Sequence, residues 1–245
     1  MRFAAIADIH GNSAALDAVL ADIRDHGIDA IVDLGDIVSG PLDAAGTLDR
    51  LIGRDIVHVR GNHDRYLIEQ DPEGMGSWER PAYAQLDARQ LAWLRDLPLA
   101  TIWRDEVFLC HATPQDDETY WLEQVTPDGI VTAAASAGIE RRATGVDQSL
   151  ILCGHSHIAR AVRLGDGRMI VNPGSVGCQG YLDPTPPRHV VQTGSPDARY
   201  AILERNDGAW SVTFRHVRYD PAEMIALARA RGEPGWARVL ETGWL

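Results

Sequence analysis

The feature that most constrains this chain is a unit repeated through its first 70 residues. A short apolar run is followed by a helical stretch and then by another apolar run, and an acidic, amide or imidazole residue stands just beyond each run. FAAIA, starting near Arg2, ends at Asp8-Ile9-His10. A helix is predicted from Ser13 to His26, with Leu16, Val19, Leu20 and Ile23 on one face, Asn12 or Ser13 as its cap and Gly27 as its stop. AIVDL (30–34) ends at Gly35-Asp36, a second helix covers 42–53, and DIVHV (55–59) ends at Arg60-Gly61-Asn62-His63-Asp64, where a helical turn begins. Asp36 follows Asp8 by 28 positions and Asn62 follows Asp36 by 26, each close to the roughly 30 residues of one βαβ unit. Such alternation predicts right-handed crossovers and a parallel sheet.

Further along, 85–95 reads as helix, and LATIW (99–103) with EVFLC (106–110) reads as a hairpin turned at Arg104-Asp105. A short helix is expected at 127–135. Strands are expected at 150–153, 159–164, 168–171, 199–204 and 210–217, with turns at Gly165-Asp166-Gly167 and Asn206-Asp207-Gly208. Residues 180–197, with four prolines, read as one long loop, and the segment from Pro221 onward as helix. No composition break divides the chain, so a single domain over 1–245 is expected.

In a parallel sheet, sites form at the carboxyl ends of the strands. EVFLC ends at His111 and LILC ends at Gly154-His155-Ser156-His157, which adds two more polar strand ends to the three above. One such residue is unremarkable: a lone Asp is usually a cap, and Asn62 beside Gly61 is an ordinary turn pair. Five strand ends in order, at βαβ spacing, are a different matter. Asp8, His10, Asp36, Asn62, His111, His155 and His157 are too many donors for one tetrahedral ion and suit two ions of coordination five or six. Oxygen and imidazole without thiolate point to Mn, Fe, Zn, Co or Ni. His26, His58, His189 and His216 fall outside this pattern and read as ordinary histidines, although Arg188 and His189 sit in the long loop and could touch substrate.

Composition narrows the partners. The net charge of −12 disfavours broad binding to nucleic acid or anionic membrane, yet leaves room for a small phosphate substrate where metal supplies positive charge. All 23 basic residues are arginine, which rules out a Walker phosphate loop and Schiff-base lysine chemistry. Cys110, Cys153 and Cys178 form no paired motif and read as small buried hydrophobes. No transmembrane run or signal peptide is expected, and the expected location is the cytoplasm.

The blocks Asp8/His10, Gly35-Asp36, Gly61-Asn62-His63-Asp64, His111 and Gly154-His155-Ser156-His157, extended by NPGS (172–175), together resemble the calcineurin-like metallophosphoesterase superfamily. The length, the DIHGN opening and NPGS are similar to its small prokaryotic, YfcE-like phosphodiesterase branch. The resemblance implies an α/β (α+β) fold of two packed mixed β-sheets flanked by helices, an αββα sandwich. It also implies two divalent ions, Mn among the candidates. Asp8, His10 and His157 would hold one ion and Asn62, His111 and His155 the other, with Asp36 bridging. The implied reaction is phosphodiester or monoester hydrolysis by a hydroxide shared between the ions. His63 would be the general acid, oriented by Asp64, and the α-helix near Ser13 would aim N–H groups at phosphate.

One departure separates this chain from the protein serine/threonine phosphatases and the dinucleoside polyphosphate hydrolases of the superfamily. They carry G-D-x-x-D-R-G, and here residues 35–41 read GDIVSGP. Arg60 and Arg65 are the nearby candidates to replace the missing arginine, each otherwise reading as a solvated surface charge. An amidohydrolase, which places H-x-H on its first strand, and a metal-binding scaffold without activity are the remaining alternatives.

Overall fold

A computed structural model of the chain describes all 245 residues. The elements run, in order, β1 (Arg2–Ile6), α1 (Ser13–Asp25), β2 (Ile31–Asp33), α2 (Ala44–Leu51), β3 (Ile56–His58), α3 (Asn62–Glu69), α4 (Glu79–Tyr83), α5 (Ala88–Asp96), β4 (Ala100–Trp103), β5 (Val107–Cys110), β6 (Glu123–Val125) and β7 (Val131–Ala133). They continue with α6 (Ser136–Arg142), β8 (Leu150–Leu152), β9 (Arg160–Arg163), β10 (Met169–Asn172), β11 (Gly180–Asp183), β12 (His189–Gln192), β13 (Ala198–Asn206), β14 (Ala209–Val217), α7 (Ala222–Ala230) and α8 (Pro234–Thr242).

Two five-stranded sheets, in the orders β14-β13-β1-β2-β3 and β4-β5-β8-β10-β9, form the centre. β1, β2 and β3 are parallel in the first, and β5, β8 and β10 in the second, while their outer partners run antiparallel. The sheets are therefore mixed, and the parallel strands of both bring their carboxyl ends to the site. Alternation along β1 explains the layering. Phe3 and Ala5 face the second sheet, packing with Leu109, Leu152 and Val171. Ala4 and Ile6 face the other way, onto Leu16, Val19 and Ile23 of α1. Burying each of those three large α1 side chains is worth about 1.5–3 kcal/mol, which fixes the helix on the sheet. A third cluster, including Ile151, Ile170 and Trp121, lies on the far face of the second sheet with Ile139 of α6.

Two regions differ from the sequence expectation. The helix expected at 127–135 is a β6–β7 hairpin, turned at Gly129 with a φ of 82°, and helix begins only at Ser136. Pro127-Asp128-Gly129 is a turn signal, and Val131-Thr132 favours strand. The 180–197 segment is not one loop, because β11 and β12 pair within it, with Pro184, Pro186 and Pro187 confined to the turn. His189 and Val191 are buried and Val190 and Gln192 exposed, an alternation already present in the sequence. No helix is long and apolar enough to cross a membrane. All three cysteines are free and buried.

Candidate metal centre

The loops after β1, β2, β3, β5 and β8 carry all seven ligand candidates, and backbone hydrogen bonds lace those loops together. Asp8 N–H donates to Gly35 O at 2.9 Å, His10 N–H to Asp36 O at 3.0 Å and Gly154 N–H to His111 O at 2.7 Å. NPGS ties the two sheets at this edge. Asn172 Nδ2 donates to Gly154 O at 2.6 Å, and Ser175 Oγ donates to Asp8 O at 2.7 Å. Asp8, His10, Asp36, His155 and His157 all have φ between 48° and 68°, the left-handed region that non-glycine residues rarely occupy. Each such residue costs on the order of 1–3 kcal/mol, and five at one edge mark where the fold gives up stability for side-chain placement.

Two groups result. Ligand atoms of Asp8, His10 and His157 lie within 4.8 Å of one another, and so do those of Asp36, His111 and His155. Asp36 Oδ2 stands between the groups, 3.8 Å from His10 Nε2 and 3.3 Å from His111 Nε2. Asn62 Oδ1 is 3.1 Å from His111 Nε2 and belongs with the second group.

Hydrogen bonds on the outer ring nitrogens decide which lone pairs point inward. His157 Nδ1–H donates to Cys178 O at 2.8 Å, and His111 Nδ1–H to Leu34 O at 2.7 Å, so Nε2 is the free acceptor in each. His155 Nε2–H donates to Glu118 O at 2.7 Å, which leaves Nδ1. His10 Nδ1 is paired with Ser39 Oγ at 2.8 Å, and its Nε2 faces His157 Nε2 at 3.1 Å. Asp8 Oδ2, wholly buried, has no hydrogen-bond partner. Acceptors thus converge on acceptors, a repulsive arrangement that a divalent cation in each group relieves. The residues fit two metal ions.

The electrostatics agree. Burial pushes His157 down to about 3 and His155 down to about 4, and it holds His10 well below its ordinary value, so these rings are neutral ligands. Burial also disfavours the charged form of His111, but Asp36 outweighs it and pushes His111 up to about 10. Without a cation, one proton between His111 and Asp36 eases the repulsion there.

His63 is not among the converging atoms. Its backbone N–H donates to Asp36 Oδ1 at 3.0 Å, its ring stacks on Trp78 at 5.0 Å between centroids, and its Nδ1 pairs with Glu79 Oε1 at 2.5 Å. The expectation that Asp64 orients His63 is therefore corrected. Asp64 accepts from the N–H groups of Gly61, Asp36 and Ile37 at 3.0, 2.8 and 2.9 Å, welding the β2 and β3 loops together. As the third residue of α3 it turns back on the residue before the helix, as a capping box does, so it cannot also reach forward to the ring. Buried Asn12 caps the start of α1, its Oδ1 accepting from Ala15 N–H at 3.1 Å.

Asp36, Asn62, His63, His155 and His157 open into a cleft of about 680 Å³. The rest of its wall is supplied by 66–79, by Glu118 and Tyr120, and by Tyr181–Thr185. Arg188 and His189 line a separate hollow of about 510 Å³, and His189 backs the cleft wall from behind, its Nε2 3.0 Å from the Tyr120 hydroxyl and 3.8 Å from Asp183 Oδ2. Arg60 and Arg65 are also absent from the cleft wall: Arg65 is clamped by Asp117 and Glu118, and Arg60 lies 3.9 Å from Glu69.

Comparison with known proteins decides the family. The calcineurin-like phosphoesterase superfamily domain matches residues 1–194. This chain belongs to that superfamily. A metallophosphoesterase from Sphaerobacter thermophilus is similar over 99% of this chain and 100% of its own, at 27% identity and a TM-score of 0.75. An uncharacterized protein of Methanocaldococcus jannaschii is 28% identical over 236 residues, 89% of this chain and 87% of that one. YfcE, a phosphoesterase from E. coli, is a looser match, with a TM-score of 0.45 at 18% identity over 89% of this chain and 100% of that one. The mixed two-sheet fold is that of the superfamily.

Sequence reasoning missed Trp78, Glu79, Tyr120 and Tyr181. Tyr120 packs on His155 at 5.1 Å and Tyr181 on His157 at 4.7 Å, and their hydroxyls lie 2.5 Å apart. None of the four stands just beyond one of the five apolar runs, so the strand-end signal that finds the converging residues does not reach them.

Proposed function

We propose that this chain is a dinuclear metal-dependent phosphodiesterase. The observation that carries the reading is the convergence of two acceptor groups on one shared carboxylate, Asp36, at the floor of an open cleft. Asp8, His10 and His157 would hold one ion and Asn62, His111 and His155 the other, with Asp36 placed to serve both. Oxygen and imidazole donors suit Mn, with Fe, Zn, Ni and Co as the other candidates. When bound, the ions supply Lewis acidity and lower the pKa of water from 15.7 towards about 7.

The chain's own residues do the rest. His63, on the cleft wall beside the metal ligands, donates a proton to the leaving alcohol. Burial disfavours its charged form, yet the charge of Asp36 and the hydrogen bond and charge of Glu79 raise its pKa above the ordinary value, which keeps the acid form available at neutral pH. Glu79 also fixes the ring through Nδ1, and Trp78 stacks beneath it. The cleft wall contains no arginine, and the chain has no lysine to grip a dianionic monoester, which favours diesters. The same lack weighs against a protein phosphatase or a dinucleoside polyphosphate hydrolase. The absence of stable nucleic-acid partners remains part of this reading, on the charge of −12.

The direct test is turnover of bis-p-nitrophenyl phosphate and p-nitrophenyl phosphate by chelator-treated protein before and after Mn²⁺ is restored. Metal-dependent turnover with the diester preferred is expected. No turnover of either ester by metal-loaded protein would leave only the inactive scaffold.

Glu79→Gln gives a pH signature. A raised His63 pKa keeps the acid charged until the pH climbs through it, so activity declines on the alkaline side. Removing the Glu79 charge lowers that pKa and moves the alkaline limb of kcat to lower pH. The loss on the alkaline side should stay within the ~10²–10⁴-fold that general acid catalysis is worth. An unmoved limb would separate Glu79 from the proton transfer.

A further inference from the structure

The cleft wall has an unusual charge pattern for a protein acting on phosphates. Besides Asp36 and Glu79 it contains the carboxylates of Glu118 and Asp183, together with the aromatic faces of Tyr66, Trp78, Tyr120 and Tyr181. It contains no arginine, and histidines at the metal edge are its only basic groups. Two guanidiniums on the segments beside the wall are already committed. Arg65 donates to Asp117 at 2.7 and 2.8 Å and to Glu118 at 2.7 Å, with Glu69 at 3.7 Å, so one cation faces three carboxylates. Arg80 donates to the carbonyl oxygens of Glu73 and Met75 at 3.1 and 2.8 Å. Tyr66 turns its hydroxyl to Glu118 Oε1 at 2.5 Å, which leaves its ring as wall.

Positive charge is therefore confined to the metal floor and His63, and everything beyond one phosphoryl group meets carboxylate and aromatic surface. A second phosphate or a carboxylate there finds no free guanidinium and meets two carboxylates: Glu118, which shares Arg65 with Asp117 and Glu69, and Asp183, whose nearest basic group is His189 at 3.8 Å. A cation finds both charge and ring faces, the combination that binds ammonium groups.

We propose that the cleft selects phosphodiesters by the charge of the alcohol portion, accepting neutral and preferring cationic substituents while rejecting anionic ones. This rests on the phosphodiesterase reading above and deepens it: the substrate class is a monoanionic diester of an ammonium-bearing or uncharged alcohol, rather than a polyphosphate or nucleic acid.

The experiment uses metal-loaded protein and three diesters sharing the p-nitrophenolate leaving group. p-Nitrophenyl phosphorylcholine is cationic, ethyl p-nitrophenyl phosphate neutral, and a carboxyethyl p-nitrophenyl phosphate anionic in the retained alcohol. At low salt, kcat/KM is expected to fall in that order, with at least about a tenfold span from cation to anion. The span should shrink in high salt, where charges at the cleft mouth are screened. Glu118→Gln combined with Asp183→Asn should narrow the span towards one, read as a ratio so that any general loss of activity cancels. Equal kcat/KM across the three, or a faster anionic ester, overturns the charge selection and leaves the diesterase reading intact. Failure to cleave even the neutral ester overturns both.

Discussion

Asp8→Asn will raise the melting temperature of the metal-free protein and reduce its thermal response to metal. Asp8 is wholly buried, its Oδ2 has no hydrogen-bond partner, and burial drives its carboxyl pKa well above the ordinary value. The ionised side chain is tolerated for what it binds, at a cost to the empty fold. Asparagine has the same shape, accepts the left-handed φ of 54° as readily, keeps the Oδ1 acceptor for His155 N–H and adds a donor towards the inward imidazole nitrogens. Satisfying a buried unpaired group is worth about 1–3 kcal/mol, and each kcal/mol moves Tm by about 2–4 °C at this chain length. The sign with pH follows. A carboxyl whose folded pKa is raised favours the fold while protonated and loses that contribution as the pH rises through the folded value. The advantage of the variant over the wild type therefore widens towards alkaline pH. With metal restored the ranking reverses, because the wild type gains more binding energy than the variant. Activity should drop at least about 10³-fold, since Lewis-acid stabilisation is worth several kcal/mol. Calorimetry with and without chelator reads both halves. A metal-free variant that melts below the wild type, or one that gains as much from Mn²⁺, contradicts the assignment.

His63→Ala separates acid catalysis from metal binding. The anchor between this residue and the metal site is its backbone N–H on Asp36 Oδ1, which survives the substitution. Metal content should stay unchanged. On an alkyl diester, whose leaving alkoxide needs a proton, kcat should fall by ~10²–10⁴. On a nitrophenyl diester, whose leaving group departs as a stable anion, the loss should be much smaller. Equal losses on the two substrates would refute proton donation, and loss of metal would show that the ring supports the ligands instead.

The seven converging side chains were legible in the sequence for a physical reason. Each stands one to four residues beyond an apolar run, and parallel strands deliver such positions to one edge. The partition between two groups is not written in that pattern. It depends on which ring nitrogen is tied back, as His157 Nδ1 is to Cys178 O and His155 Nε2 to Glu118 O, and those acceptors are backbone carbonyls that carry no sequence mark. Asp64 was legible as important and misleading in role, because an acidic third helical residue reads equally as a cap and as an orienting base. Glu79 could not be found at all: it reaches His63 across 16 residues from a segment without periodicity. The hairpins at 123–133 and 180–192 were obscured by prolines that sit in their turns or beside them, where strand pairing does not need an N–H.

The central claim is that two cations occupy the paired acceptor groups around Asp36. Metal analysis of the purified chain after chelation and reconstitution with Mn²⁺ tests it most directly, with Asp8→Asn alongside. Two ions per wild-type chain and no more than one in the variant are expected. Fewer than two in the wild type, or two retained in the variant, would contradict it.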